Sequence, residues 1–293
     1  MRTNADKLPI MGLMGHARQP VGRDWQIAHD GKPFIAYSTG GITYNIKVGD
    51  SAYGWKCDHV EPGVSSIAGG GGTKQPNRAW NIHACIGNRV TVVSGDAKGA
   101  TGIVTGKHGG VEHVMIDFAD EVLDQLTYDD KLMIRGCGQG LELEDFPTVH
   151  CYNMDPDLVS KLRIIESDQK LHVPVAARVP AFLMGSGLGK TTPFTGDYDI
   201  QTSEFDVLRE HGLIELKLGD LVAIIDHQAG HGWSYKKGAV VIGVVIHGDS
   251  YKAGHGPGVA TLMTCTDGTI VTEVDPESNI ARYLKIGRFR PKA

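Results

Sequence analysis

Two uninterrupted apolar runs dominate the C-terminal third of the chain, LVAII at 221–225 and AVVIGVVI at 239–246, with polar glycine-rich segments after each. Runs of that length, rich in β-branched residues and bounded by glycine, predict a strand, a polar loop, a second strand and a second polar loop. Apolar and polar positions alternate through residues 32–53 around Gly40-Gly41, predicting further strands. The phrases KVGD at 47–50 and KLGD at 217–220 each read as a tight turn that opens a strand. Residues 259–275 predict two strands joined by Asp267-Gly268 as a hairpin. Helical patterns are few and short. One covers 119–126, a second starts at Asp155 as N-cap with Pro156 at the first helical position, and a third is capped by Thr202 or Ser203 and stopped by Gly212. Four glycines at 69–72 precede Gln75-Pro76-Asn77, which does not read as a helix start, so a flexible loop is expected there. The pattern therefore describes a mainly β protein with three short helices.

Composition sharpens this. Glycine is abundant, 39 of 293 residues, which fits many tight turns between short strands better than it fits a helical protein. A chain of this length can bury a large core in two or three units. The expected division is an N-terminal β unit at 1–85, a small barrel at 86–150 and a β-sandwich at 151–293, the first and last packing as one. The net charge of −5 and pI near 6.2 argue against a nucleic-acid partner. The longest apolar run is far short of a membrane span, and the first residues lack a signal-type apolar core, so a cytoplasmic location is expected. Cys57, Cys85, Cys137, Cys151 and Cys265 are odd in number and scattered, which reads as free thiols. The basic tail at 281–293 is expected to cover an edge or a subunit contact.

Candidate chemistry lies where strands end. Asp226, His227 and His231 leave the first apolar run, and His247, Asp249 and His255 leave the second. Such side chains ligate divalent metals or move protons near neutral pH. In a plain hairpin the two loops sit about 25 Å apart, at about 3.3 Å per residue, so one metal cannot touch both. Two sites, one effective cluster, or a loop brought by a second copy would each resolve this. A second constellation, Asp58, His59 and Glu61, is presented by a loop shaped at Pro62-Gly63. The segment GSGLGKTT resembles a phosphate-binding loop, but Met184 stands where the motif needs glycine and Pro193 would break the helix that must follow. It reads instead as a glycine-rich loop offering Lys190, Thr191, Asp197 and Asp199 to a polar or anionic ligand. Cys137 has neither a base nor a helix start beside it and reads as an inert thiol.

The expected activity is hydrolysis or elimination at a C–N bond of a small polar metabolite, assisted by zinc, manganese or magnesium. His227, His247 and His255 are the expected metal ligands. Asp58, His59, Asp226 and Asp249 are the expected catalytic groups, and Lys190, Thr191 and Asp197 the expected substrate contacts. Metal-free acid–base catalysis by Asp and His is the first alternative. A ligand- or RNA-binding module is the second. A homo-oligomer with pockets shared between copies is also expected.

Two resemblances add to this reading. Residues 88–116, with VTVVSGDAKGATGIVTGK at their centre, resemble the KOW motif of ribosomal and transcription-elongation proteins, which implies a small β-barrel. Its basic residues Arg89, Lys98 and Lys107 are balanced by Asp96, Glu112 and Asp117, unlike an RNA-binding surface. Across nearly the whole chain, GGITYNIKVGD, DHVEPGVS, VPAFLMGSGLGKTT, TGDYDIQT and AGHGPGV resemble the domain-of-unknown-function family numbered 4438. That resemblance implies a barrel and a layered β-sandwich and brings no reaction.

Overall fold

The computed structural model describes residues 1–37 and 39–291. Six strands close into an antiparallel barrel. Around the ring they are Met11–Ala17, Lys131–Gly136, Arg89–Val92, Thr101–His108, His113–Asp117 and Gly63–Ile67. The ring closes where His16 and Ala17 pair with Ile67 and Ser66, and Ile42–Thr43 adds outside on Gly63–Ile67. Its interior is filled by inward-facing aliphatics, among them Val64, Val90, Val104, Ile116, Leu132 and Ile134. The alternation is plainest in Lys131–Gly136, where every second residue is buried. The barrel takes strands from both sides of residue 85, and the 88–116 segment supplies three consecutive ones.

Trp80 plugs this barrel from the helix Gln75–His83. The sequence reading expected a loop there. Pro76 does not prevent the helix because it lies in the first turn, where its missing N–H would have no partner in any case.

The C-terminal half is a layered sandwich. Its larger sheet runs His150–Cys151, Gly258–Cys265, Ser234–Val245, Leu221–Gln228, Ala177–Val179, and Tyr198–Asp199 also pairs with Gly258–Cys265. A smaller sheet of Ile165–Ser167, Lys170–Val175 and Ile270–Val274 covers one face. Leu221, Ala223 and Val244 share one core with Leu171, Val173 and Val175 of that smaller sheet. Val222, Ile224, Val241 and Val245 face a second core with Leu183, Tyr198, Leu208 and Trp233. Burial on both faces explains why these strands read as unbroken apolar runs.

The expected hairpin at Asp267-Gly268 does not form. Gly258–Cys265 already has Ser234–Val245 on one edge and His150–Cys151 with Tyr198–Asp199 on the other. With both edges taken, Ile270–Val274 crosses to the smaller sheet and pairs in parallel with Lys170–Val175. Asp267 still caps the turn by accepting from the Thr269 N–H at 3.1 Å.

KLGD opens the strand Leu221–Gln228 as expected, but KVGD leads only to turns and a single bridge at Ser51. The two phrases are alike locally. Asp50 accepts from the Lys47 N–H at 2.9 Å and Asp220 from the Lys217 N–H at 2.7 Å. The turns then bond to each other, through Gly49 N–H to Leu218 O at 2.7 Å and Leu218 N–H to Asp50 O at 2.8 Å.

The three expected helices form as Asp120–Leu123, Pro156–Val159 and Phe205–Glu210, joined among the described residues by Gln75–His83 and Ile280–Leu284. Asp155 caps its helix, accepting from the Asp157 N–H at 2.8 Å, while the third begins after Glu204 and not after Thr202 or Ser203. The basic tail packs on the molecule itself: Arg288 binds Asp50 at 2.6 Å and Arg290 pairs with Asp117. Lys292 and Ala293 of that tail lie outside the described residues. Among the described residues no helix is long and apolar enough to cross a membrane.

Candidate functional site

The seam between barrel and sandwich holds five imidazoles and a group of carboxylates. His59 and Glu61 come from the loop before Gly63–Ile67, and His108 and His113 bracket the Gly109-Gly110 turn of the barrel. Asp197 and Asp199 flank Tyr198 in the glycine-rich loop, His247 follows Ser234–Val245, and His255 precedes Gly258–Cys265.

The loop is fixed in place from the barrel side. Gly109 donates its N–H to Asp197 Oδ1 at 2.7 Å, and Gly196 sits so close that a Cβ there would fall 2.5 Å from Gly109 Cα. The Lys107 ammonium is fully buried. It donates to Asn153 Oδ1 at 2.7 Å and Phe194 O at 3.0 Å, while Asn153 donates onward to Pro193 O at 2.6 Å and Thr261 O at 3.0 Å. Burial lowers this lysine's pKa to about 8.

The ligand atoms form two triads. His59, Asp199 and His255 make one and His108, Asp197 and His247 the other, each with its atoms within 4.8 Å of one another. Each of three histidines has one ring nitrogen anchored and the other directed inward. His247 Nδ1 donates to Gly248 O at 2.8 Å, His59 Nδ1 lies 3.0 Å from Asp58 Oδ2, and His108 Nδ1 bonds Glu61. The His59 contact is bent away from hydrogen-bond geometry and counts as an ion-pair contact only. Glu61 is buried and also takes His113 Nδ1 at 3.0 Å and the Ser65 hydroxyl. A carboxylate or carbonyl behind an inward-facing imidazole is the usual support of a metal-binding histidine.

Two buried atoms speak for a cation more directly. His247 Nε2 and Asp197 Oδ2 are 2.8 Å apart, yet the approach is too oblique for an N–H to bridge, and both lack a hydrogen-bond partner. Two unpartnered buried polar atoms at that separation cost free energy unless they share a third centre. Gly258 lets the two come this close. A Cβ added there would fall 1.9 Å from Asp197 Oδ2 and 2.3 Å from His247 Nε2, so both atoms pack against the bare Cα. The donor set of imidazoles and carboxylates suits zinc or manganese better than magnesium, which favours oxygen ligands alone.

The electrostatics agree. Burial would lower the His59 pKa, but Asp199 and Asp58 outweigh it and raise the imidazole to about 9. Burial opposes and His59 with Ser250 favours ionisation of Asp58, whose pKa falls to about 2. Asp199 and Glu61 are likewise lowered by neighbouring imidazoles against the effect of burial. The carboxylates thus stay ionised and draw positive charge inward, a demand that a divalent cation meets by displacing protons.

A cavity of about 370 Å³ opens onto the cluster, lined also by Arg23, Ser186, Gly187 and Lys190. Lys190 and Arg23 bring positive charge to its wall. Thr191 is exposed and does not line it. Of the expected residues, His59, His247, His255, Asp197 and Lys190 meet here. Asp58 stands behind His59. Asp249 is half-buried, receives the Gly54 N–H at 3.4 Å and is raised by burial to about 6, without facing the cavity.

His227 and Asp226 lie at the other end of the hairpin. Asp226 has φ 58° at a bulge in Leu221–Gln228 and accepts from the Gly238 N–H at 2.6 Å, which is a turn-forming role. His227 stacks on Tyr198 at 5.9 Å, its pKa lowered by burial, and borders a separate apolar cavity of about 950 Å³ with Phe182, Trp233 and Tyr235. His231 is exposed. The hairpin geometry is therefore as expected, and the second loop alone joins the cluster. The sequence reading missed Arg23, His108 and His113. The two histidines also end strands at a Gly-Gly turn, the signal used for the other loops.

Models of the domain of unknown function DUF4438 match this chain, the N-terminal part at residues 25–160 and the C-terminal part at 161–284. A crystal structure described as that of TM1086 is similar, with 47% identity, a TM-score of 0.90 and coverage of 97% of this chain and 99% of that one. No curated protein matches the chain.

Proposed function

The chain belongs to the DUF4438 family, and from that premise, which carries no reaction, we propose that it is a metal-dependent hydrolase of a small anionic metabolite with an amide-type C–N bond. The observation that carries the reading is the pair His247 Nε2 and Asp197 Oδ2, buried, 2.8 Å apart and neither in hydrogen-bond geometry with any partner. A divalent cation held there would lower the pKa of a bound water to about 7 and polarise a carbonyl. His108 and His247, each anchored through its other nitrogen, and His59, set beside Asp58, would hold the ion with little reorganisation. Lys190 and Arg23 on the cavity wall pair with a carboxylate of the substrate and orient it. In the net reaction the water oxygen joins the carbonyl carbon, the C–N bond breaks, and both water protons finish on nitrogen, giving a carboxylate and an ammonium.

The test is an activity screen of purified protein on N-acyl amino acids and cyclic amides, before and after chelation. Activity lost with chelator and restored by zinc or manganese supports the reading. Activity indifferent to chelator would favour the metal-free acid–base alternative, with His59 and Asp58 as its pair.

A further inference from the structure

We infer that the site holds two divalent cations bridged by Asp199. The inference rests on the metal-dependent reading above and deepens it. Asp199 Oδ2 faces the first triad, 3.6 Å from His59 Nε2 and 3.3 Å from His255 Nδ1. Its Oδ1 faces the second triad, 3.8 Å from His247 Nε2. One carboxylate thus presents an oxygen to each group of ligands, the arrangement that bridges two ions about 3.5–4 Å apart in two-metal hydrolases.

Each triad has its own reason to take an ion. In the second, His247 Nε2 and Asp197 Oδ2 are buried, 2.8 Å apart and without hydrogen-bond partners. In the first, His59 Nε2 and His255 Nδ1 share a hydrogen bond at 3.0 Å beside Asp199 Oδ2, so two ring nitrogens and an oxygen lie together where an ion would take the place of the shared proton. The imidazoles pack closely across the triads, His108 and His247 with ring centroids 4.1 Å apart and His59 and His247 5.0 Å apart. The two triads also differ in access. His108, Asp197 and His247 are all buried, while His255 is partly open to solvent, so the first ion is the exchangeable one.

Equilibrium dialysis of the full chain against manganese, with metal counted by mass spectrometry and spin coupling read by electron paramagnetic resonance, tests this. Two ions per chain with the spectrum of a coupled pair are expected. His255→Ala, which removes a partly exposed side chain, is expected to leave one uncoupled ion, and Asp199→Asn to abolish the coupling. A single ion in the native chain would overturn the two-cation assignment, and two ions without coupling would overturn the bridge by Asp199; either would leave the metal-dependent reading standing. No bound ion would overturn both.

Discussion

Glu61 shows how one buried side chain sets the chemistry of another. It is ionised and enclosed by His108, His113 and Ser65, so its charge fixes which His108 nitrogen carries the proton and which faces Asp197. Glu61→Gln keeps the shape and loses the charge. Metal affinity is expected to fall about 10–100-fold, the usual effect of removing such support, as a competition titration with a coloured chelator would read. Asp220 offers a separate residue-scale prediction. Burial raises its carboxyl from 3.8 to about 6, against the bonds from Asn279 and Lys217. Below about pH 4 both folded and unfolded forms are protonated. Between about pH 4 and 6 the unfolded chain ionises first, so stability falls as pH rises, by about 3 kcal/mol once the folded carboxyl ionises as well. Asp220→Asn lacks that slope. Its denaturation midpoint relative to the native chain should improve across this window, and parallel curves would show an ordinary carboxyl. At this scale the sequence is partly legible. His247 and His255 follow an apolar run, and His59 stands in a loop shaped at Pro62-Gly63. Arg23 belongs to no such run, and only the fold brings it to the cavity.

Elements explain why some sequence patterns were decisive and others misled. The runs 221–225 and 239–246 could only be strands, and their hairpin correctly kept Asp226 and His227 away from His247 and His255. The Asp267-Gly268 turn was equally plain, yet a turn specifies only local geometry, and the strand before it had no free edge to offer. The helix Gln75–His83 escaped notice because its reason is tertiary: Trp80 fills the barrel. Trp80→Ala should cost about 3–5 kcal/mol in chemical denaturation by emptying that core. Gly258 is an element-scale prediction of another kind. The first residue of its strand, it gains from alanine a methyl that overlaps Asp197 and His247. Gly258→Ala should cost about 1–3 kcal/mol through overpacking and remove metal from the His108–Asp197–His247 triad. Unchanged metal content would place the ion elsewhere.

At the scale of the whole molecule, the site exists because two halves meet. The barrel brings His108, the loop before Gly63–Ile67 brings His59 and Glu61, the support of His108, and the sandwich brings Asp197, Asp199, His247 and His255. Residues from 59 to 255 converge on one seam, a fact no local pattern in the chain contains. The class of fold was readable from strand patterns and glycine content; the closure of six strands through His16–Ile67 and Ala17–Ser66 was not, since it joins residues about fifty apart without any marker. A cation held by both halves binds only the folded molecule, so it must raise stability by mass action, by about 4 kcal/mol at a thousandfold excess over its dissociation constant. The most direct measurement is the thermal midpoint of chelator-stripped protein with and without added zinc or manganese, alongside the double variant His59→Ala/His247→Ala. The predicted result is a rise of several degrees in the native chain that is absent from the variant. An equal response in both, or none in the native chain, would contradict a metal centre at this seam.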